Sequence, residues 1–316
     1  MFEQHRERNL SMVMDFYELT MSNGYFRDGV SDARVAFDVF YRKNPDNGGF
    51  AIFAGLAQVV EYIRSLHFTE DDIAFLRAQG IFDEGFLDYL RHFRFTGDLY
   101  ALREGTVMYP NTPVVTVVAP LIEAQIVETA ILLEVNHQSL IATKANRIVR
   151  AAQGRVVSDF GARRAHNIDS AVYGARASYI GGVDSTATVL AVQMFNIPVS
   201  GTMAHSWVMF YPDEYTAFEK YARAYPDGCT LLVDTYDVLE SGVPNAIRVA
   251  KEVLEPMGKR LRGIRLDSGD LAYLSKKSRA MLDEAGLTDC RIVASNSLDE
   301  MTISSLLSQG AKIDIF

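Results

Sequence analysis

The chain has 316 residues, 48% of them apolar and 22% charged, with a net charge of −9. That balance suits about two globular domains with real cores and excludes a non-specific nucleic-acid binder, which needs a basic surface to displace counterions. Two cysteines, Cys229 and Cys290, stand outside any C-x-x-C pair, which excludes a disulfide framework or a cysteine zinc site and points to a reducing, cytoplasmic compartment.

The opening "MFEQHRERNL" is charged and lacks an apolar signal core. No run approaches the roughly 18 apolar residues of a membrane span. Next comes a mixed segment. "ARVAFDVFYRK" alternates like a half-buried strand, and "GGFAIFAGL" reads as its neighbour across the turn "NPDNGG". "AQVVEYIRSL" has helical spacing. "TEDDIAFLRAQG" opens on a T-x-x-D capping box and closes on Gly80, which predicts a helix. "DLYALREGTVMYPNTPVVTVVAPL" returns to strands. "IEAQIVETAILLEVNHQSLIATKANRIVRAAQG" reads as long helix broken near Asn136 and His137. Residues 1–135 are therefore expected to form an α+β domain.

From about residue 154 the pattern becomes regular. The apolar runs "RVVSDFG", "ASYIGGVDS", "IPVSGTMAH", "TLLVDTYD", "RGIRLDSGD", "RIVASNS" and "AKIDIF" alternate with segments of helical character. Repeated strand then helix signals parallel βα units. Seven strands in series favour a barrel over an open sheet, and no G-x-G-x-x-G follows any of them. The expected fold is α/β: an irregular seven-stranded parallel barrel over residues 136–316, preceded by the smaller α+β domain. The last run is a strand with no helix after it. A closed barrel would leave an unpaired edge there, so the natural chain is expected to be longer.

In βα folds, sites form where the carboxyl ends of the strands converge. Those ends supply Asp159 and Arg163, then Asp184, Ser185 and Thr186, then His205 and Ser206. Asp234 and Asp237 follow, then Arg265, Asp267, Ser268 and Asp270, then Ser295, Asn296 and Ser297. Any single Asp or Ser there has a plain role as the N-cap of the next helix. Arg163, His205 and Arg265 are not cap types. Arginines beside helix N-termini favour phosphate or carboxylate. Aspartates suit ribose hydroxyls or a Mg²⁺ held partly through substrate phosphates. The set points to phosphoribosyl or nucleotide chemistry. Phe160 and Tyr17 suit stacking on a flat ring, although such aromatics are more often simply core. His205 beside Ser206 in sequence says nothing of a triad.

Six motifs occur in order: "MDFYELTMSNGYF", "SDFGARR", "GGVDST", "GTMAHSWVM", "DTYD" and "RLDSGDL". Together, from about residue 11 onward, they resemble the nicotinate phosphoribosyltransferase family of type II phosphoribosyltransferases. The resemblance implies a homodimer with sites at the subunit interface. It implies that nicotinate displaces pyrophosphate from phosphoribosyl pyrophosphate with Mg²⁺, assisted by ATP in a ligase-like coupling, in NAD synthesis. His205 matches the histidine that ATP phosphorylates. Phe160 matches the aromatic beneath the pyridine ring, and Tyr17 the aromatic supplied by the other subunit. Arg163 would face the base or the phosphates, Arg265 would hold phosphate, and Asp267 would lie near the ribose. Asp234, Ser295 and Asn296 fall among the substrate-binding positions. Asp184 matches an aspartate that, in nicotinamide-using relatives, accepts from the amide. An ionised carboxylate would repel nicotinate, so Asp184 is expected to support its loop while Ser185, Thr186 or an arginine meets the acid. A Gly-rich phosphate loop should follow "KIDIF" and does not, which leaves the grip on the 5′-phosphate in question. The competing readings are a nicotinamide or quinolinate phosphoribosyltransferase, or a non-catalytic binding or dimerisation fragment of the same fold.

Overall fold

The computed structural model describes residues 8–316 and divides into two compact units, residues 1–143 and 144–316. Most of the charged opening stretch lies outside the described residues. The division falls eight residues beyond the expected 135/136 boundary, inside a helix.

The first unit is α+β, as its mixed pattern anticipates. Helix α1 (Phe16–Arg27) precedes strands β1 (Arg34–Val39) and β2 (Ala51–Ile52). Helices α2 (Leu56–Ser65), α3 (Glu70–Ala78) and α4 (Glu84–Arg91) follow, then β3 (Asp98–Ala101), β4 (Val107–Met108) and β5 (Val115–Pro120). Helices α5 (Leu121–Ile126) and α6 (Glu128–Ala151) end the segment. The capping box forms: Thr69 accepts from the Asp72 N–H and Asp72 accepts from that of Thr69, a device worth about 1 kcal/mol. Strand β5 lies between β1 and β3, antiparallel to both. It buries Val115, Val117 and Ala119 in a core with Phe53, Phe86 and Leu90.

Two expectations fail here. β1 and β2 are not a hairpin, because β1 pairs with β5 and β2 with β4. The partner with a complementary buried face lies some 80 residues away, and no local turn encodes it. The long helix breaks at Val127 and runs unbroken through Asn136 and His137. Asparagine and histidine cost a helix only about 0.7 kcal/mol each relative to alanine, which packing overrides.

In the second unit the parallel strands are short: β6 (Ser158–Asp159), β7 (Ser185–Thr186), β8 (Thr230–Leu232), β9 (Gly263–Leu266) and β10 (Arg291–Ala294). β6 pairs with β7, and β9 lies between β8 and β10. Single parallel bridges at Val156–Ile315, Val293–Ile315 and Thr186–Val199 join these pieces. Seven segments are thus linked in the order Val199, β7, β6, Ile315, β10, β9, β8. No pairing between Val199 and β8 closes the series among the described residues. The apolar face of β8, β9 and β10 packs on Phe218, Val243, Val249 and Leu282. One apolar run was misassigned. In "ASYIGGVDS" the first four residues finish the helix Ile168–Ile180, and only Ser185 belongs to a strand.

Glu18 on α1 is fully buried. One carboxylate oxygen accepts from the Thr129 N–H at 2.9 Å and hydroxyl at 2.6 Å; the other has no partner. Burial pushes its pKa from 4.5 to about 7, helped by Glu128 and Asp15 and opposed by the Thr129 bonds. A carboxyl raised on folding contributes stability that is complete below the unfolded value and is lost as pH rises through the folded one. Wild-type protein should therefore gain up to roughly 3 kcal/mol from this group as pH falls from 8 to 4.5. Glu18→Gln should flatten that part of the curve. Parallel melting-temperature profiles for the two proteins across this window would contradict the assignment.

Candidate active site

Arg265 lies next to the last residue of β9 with its side chain only 13% exposed. A buried guanidinium must find acceptors for its five N–H groups. Nε donates to Ser295 Oγ at 2.8 Å, one terminal nitrogen to Thr202 Oγ1 at 3.2 Å and Met203 O at 3.3 Å, and the other to Asp267 Oδ1 at 2.8 Å. Ser295 Oγ also donates to Asp267 Oδ1. The guanidinium carbon lies 5.4 Å from the centroid of the Phe160 ring, a cation–π contact. One side chain therefore gathers the ends of the first, third, fifth and sixth runs.

The fourth run enters through Asp234, whose side chain is 1% exposed. Its Oδ1 lies 3.0 Å from His205 Nε2, and its Oδ2 accepts from the Asp267 N–H at 3.0 Å and Ser268 Oγ at 2.6 Å. His205 opens the helix His205–Phe210 and its side chain is 39% exposed. With Nε2 turned to a carboxylate, the second ring nitrogen, Nδ1, keeps its lone pair available.

The carboxylates of the rim sort by partner. Asp237 and Asp270 are N-caps, accepting from Leu239 and Glu240 N–H groups and from Tyr273 N–H. Asp159 accepts from the Gly161 N–H at 2.9 Å and Thr186 Oγ1 at 2.9 Å. Asp234 and Asp267 cap nothing and serve the arginine–histidine cluster.

Asp184, Ser185 and Thr186 do not follow a strand, which corrects their expected place at its carboxyl end. Asp184 precedes β7 and accepts from the Val157 N–H at 2.9 Å, so it straps two strand starts together. Ser185 and Thr186 are the strand itself, both buried, with Ser185 Oγ 2.8 Å from Ser158 Oγ. The cause is strand length: two residues of β structure leave the apolar approach to the preceding helix. Arg163 sits exposed in the turn Ala162–Arg164, with no internal partner among the described residues. After β10, Asn296 and Ser297 are exposed and left-handed, at φ 79° and 53°. Consecutive non-glycine residues in that region store strain of the kind that gathers at binding sites.

Tyr17 belongs to the first unit. It is 43% exposed on α1, and its hydroxyl donates to Glu128 Oε1 at 2.9 Å. Its ring stands in solvent, available to a ligand or a second chain. Both cysteines are buried, and burial raises each thiol to about 12, so neither offers a thiolate nucleophile.

The nicotinate phosphoribosyltransferase (NAPRTase) N-terminal domain family matches residues 12–136, and the nicotinate phosphoribosyltransferase (NAPRTase) family matches residues 156–315. The chain belongs to the nicotinate phosphoribosyltransferase family. It is 51% identical over 313 residues to the nicotinate phosphoribosyltransferase of Bacillus subtilis, covering 98% of this chain and 63% of that protein's own length. The human nicotinic acid phosphoribosyltransferase structure superposes with a TM-score of 0.89 at 32% identity, covering 96% of this chain and 72% of the human one. Nicotinate-nucleotide pyrophosphorylase from Pyrococcus furiosus gives 0.78 at 25% identity, over 97% and 70%.

Two contributors to the cluster have no place among the sequence-derived site residues: Thr202 and the Met203 carbonyl, which lie within "GTMAHS", beside the histidine. Their nearness to a motif was the available signal. No group of three His, Cys, Asp or Glu side chains gathers as a cage among the described residues. Asp267 keeps one carboxylate oxygen clear of the arginine and serine bonds, a donor set that fits Mg²⁺ shared with substrate phosphates.

Behind Asp234, Gly242 presses on the strand end. A Cβ there would overlap Val233 O and lie 2.7 Å from the Val233 carbonyl carbon. Gly242→Ala should lower stability by about 1–3 kcal/mol and push Val233 and Asp234 out of register. Gly228→Ala, whose Cβ meets nothing within 4 Å, should be neutral within about 0.5 kcal/mol. Equal urea midpoints for both variants would contradict the packing argument.

Proposed function

We propose that this protein transfers the 5-phosphoribosyl group of phosphoribosyl pyrophosphate to nicotinate, forming nicotinate mononucleotide and pyrophosphate, with ATP hydrolysis coupled through a phosphohistidine at His205. The observation that carries this reading is the joining of Arg265, Asp267, Asp234 and His205 in one hydrogen-bonded cluster fed by four of the seven βα segments, with Phe160 of another against the guanidinium. Those segments form, on this reading, a seven-stranded barrel, with Arg265 of the fifth segment reaching Thr202 and Met203 of the third across the side where no strand pairing closes the series. Family membership supports the substrates, and the chain spans 63% of the Bacillus relative.

The chemistry follows from the partners. In the first step Nδ1 of His205 forms a bond to the γ-phosphorus of ATP. The bond from that phosphorus to the β–γ bridging oxygen breaks, and ADP leaves with the electron pair. The imidazole gains positive charge, which buried Asp234 stabilises through Nε2–H. Water later attacks the phosphorus, and the electron pair of the N–P bond returns to Nδ1. Phosphoribosyl transfer needs charge stabilisation on the departing pyrophosphate and a pyridine nitrogen held against the anomeric carbon. Mg²⁺, when bound through Asp267 and the phosphates, supplies further stabilisation of the leaving charge. Arg265 meets phosphate while Asp267 is placed for ribose hydroxyls. Phe160 offers a face for the pyridine ring, opposed by Tyr17 of a second copy in a homodimer.

Asp184 bonded to Val157 N–H, together with an exposed Arg163, supports an acid over an amide. Two free, buried cysteines support a reducing, cytoplasmic setting, and no helix among the described residues is long and apolar enough to cross a membrane.

A steady-state assay of purified protein with nicotinate, phosphoribosyl pyrophosphate, Mg²⁺ and ATP should yield the mononucleotide. Preference for nicotinamide in competition, or ATP-independent turnover of quinolinate, would overturn the reading. His205→Ala should abolish ATP stimulation while leaving slower ATP-independent transfer, and unchanged ATP stimulation would remove the phosphohistidine. Arg265→Ala should weaken phosphoribosyl pyrophosphate by about 1.5–3 kcal/mol, roughly 10- to 150-fold. Calorimetry giving wild-type affinity would exclude Arg265 as the phosphate ligand.

A further inference from the structure

The Asp234 carboxylate sits between two clusters that the proposed reaction uses at different moments. One oxygen faces His205; the other holds Ser268 Oγ and the Asp267 N–H. Asp267 in turn faces both ways, its amide toward Asp234 and its side chain toward Arg265. The stretch between is short and pinned. Gly269 is left-handed at φ 79° against Leu274, and Asp270 caps the helix Leu271–Glu284. Ser268 is the one side chain in that turn bonded to the histidine's carboxylate, at 2.6 Å.

We propose that Ser268 is a positioning residue that couples the phosphorylation state of His205 to the Arg265–Asp267 grip on the phosphoribosyl substrate. The proposal rests on the phosphohistidine reading above. A neutral imidazole offers Asp234 an ordinary N–H donor, so the carboxylate's charge is shared with Ser268 and the Asp267 amide. Phosphorylation at Nδ1 makes the imidazole cationic and draws that charge toward Oδ1. The two bonds on Oδ2 weaken, and the turn carrying Asp267 gains freedom to adjust around substrate. Linkage makes the effect reciprocal: substrate that orders Asp267 must alter the ease of phosphorylating His205 by the same factor. Ser268 itself touches neither ATP nor the transferred group in this scheme. Its hydroxyl fixes the orientation of the carboxylate that both states share.

The test compares wild type, Ser268→Ala and Ser268→Thr as purified protein. Three quantities are measured: acid-labile phosphate on His205 after incubation with ATP, ATP hydrolysed per mononucleotide formed, and phosphoribosyl pyrophosphate affinity with and without ATP. Ser268→Ala should still form phosphohistidine. It should hydrolyse several-fold more ATP per product, and the ratio of phosphoribosyl pyrophosphate affinities with and without ATP should move toward one by about fivefold or more, within the usual span of coupling factors. Ser268→Thr, which keeps the hydroxyl, should restore both ratios. A purely structural role would change thermal stability and leave the ratios alone. Wild type without acid-labile phosphate on His205 overturns the phosphohistidine reading and this proposal with it. A labelled wild type with unchanged ratios in Ser268→Ala overturns the coupling role alone.

Discussion

The second unit is organised around a guanidinium that cannot be left unpaired. Stripping a cation of water costs several kcal/mol even after relaxation, and Arg265 is 13% exposed. Its acceptors come from Ser295 at the end of the sixth run, from Thr202 and the Met203 carbonyl at the end of the third, and from Asp267 on the turn beyond its own strand. None of these partners is local in sequence except Asp267. The arginine therefore fixes the mutual distances of loops whose strands are only two to four residues long and could not fix them alone. On the proposed reading the same fork that holds the loops also meets an anion, and a guanidinium whose orientation is already set loses less entropy on binding phosphate.

Rim carboxylates do three different jobs, and the division explains why a ring of aspartates did not itself identify a site. Asp237 and Asp270 satisfy helix N–H groups. Asp184 and Asp314 each accept from a neighbouring segment's N–H, Val157 and Ile292, at strand starts. Only Asp234 and Asp267 bond groups that can participate in chemistry. In folds with two-residue strands, side-chain straps substitute for missing ladder bonds, since each buried N–H must find an acceptor. A sequence reader meeting Asp near a short apolar run cannot tell strap from cap from ligand without the partner.

The alternation of apolar runs and helical segments after residue 154 was legible, as were the Thr69 capping box and the β-rich stretch from Asp98. Those are local signals of period, cap and turn chemistry. What failed was non-local or fell below the resolution of periodicity. β1 finds β5 because their buried faces match, while the intervening turn "NPDNGG" mimics a hairpin. "ASYI" is apolar for four residues, a length at which helix end and strand look alike, and the misassignment carried Asp184, Ser185 and Thr186 to the wrong end of their strand. His205, Arg265 and Asp267 were legible as candidates because their residue types are wrong for caps or because a motif held them. Ser268 was legible only as one polar residue among several at a strand end, and its bond to Asp234 was not. Its partner lies 34 positions away.

The unequal exposure of His205 and Asp234, 39% against 1%, has a physical logic. On the proposed reading, the imidazole is phosphorylated and released and must meet a bulky polyanion, so it cannot be enclosed. The group that stabilises its changing charge gains strength from being enclosed, because water no longer screens it. Burial of that carboxylate is tolerable only if both oxygens are answered, and here an imidazole answers one and a backbone amide and a hydroxyl the other. These donors are in place before any substrate arrives, so reorganisation is spared when charge develops. The geometry around them follows from packing: Gly242 lets a helix lie directly against Val233, with no side chain to hold it off, and so brings Asp234 under the ring. A side chain at that position would move the carboxylate and leave the histidine where it is. The contact of one glycine with one carbonyl thus bears on the chemistry as directly as the titratable pair does.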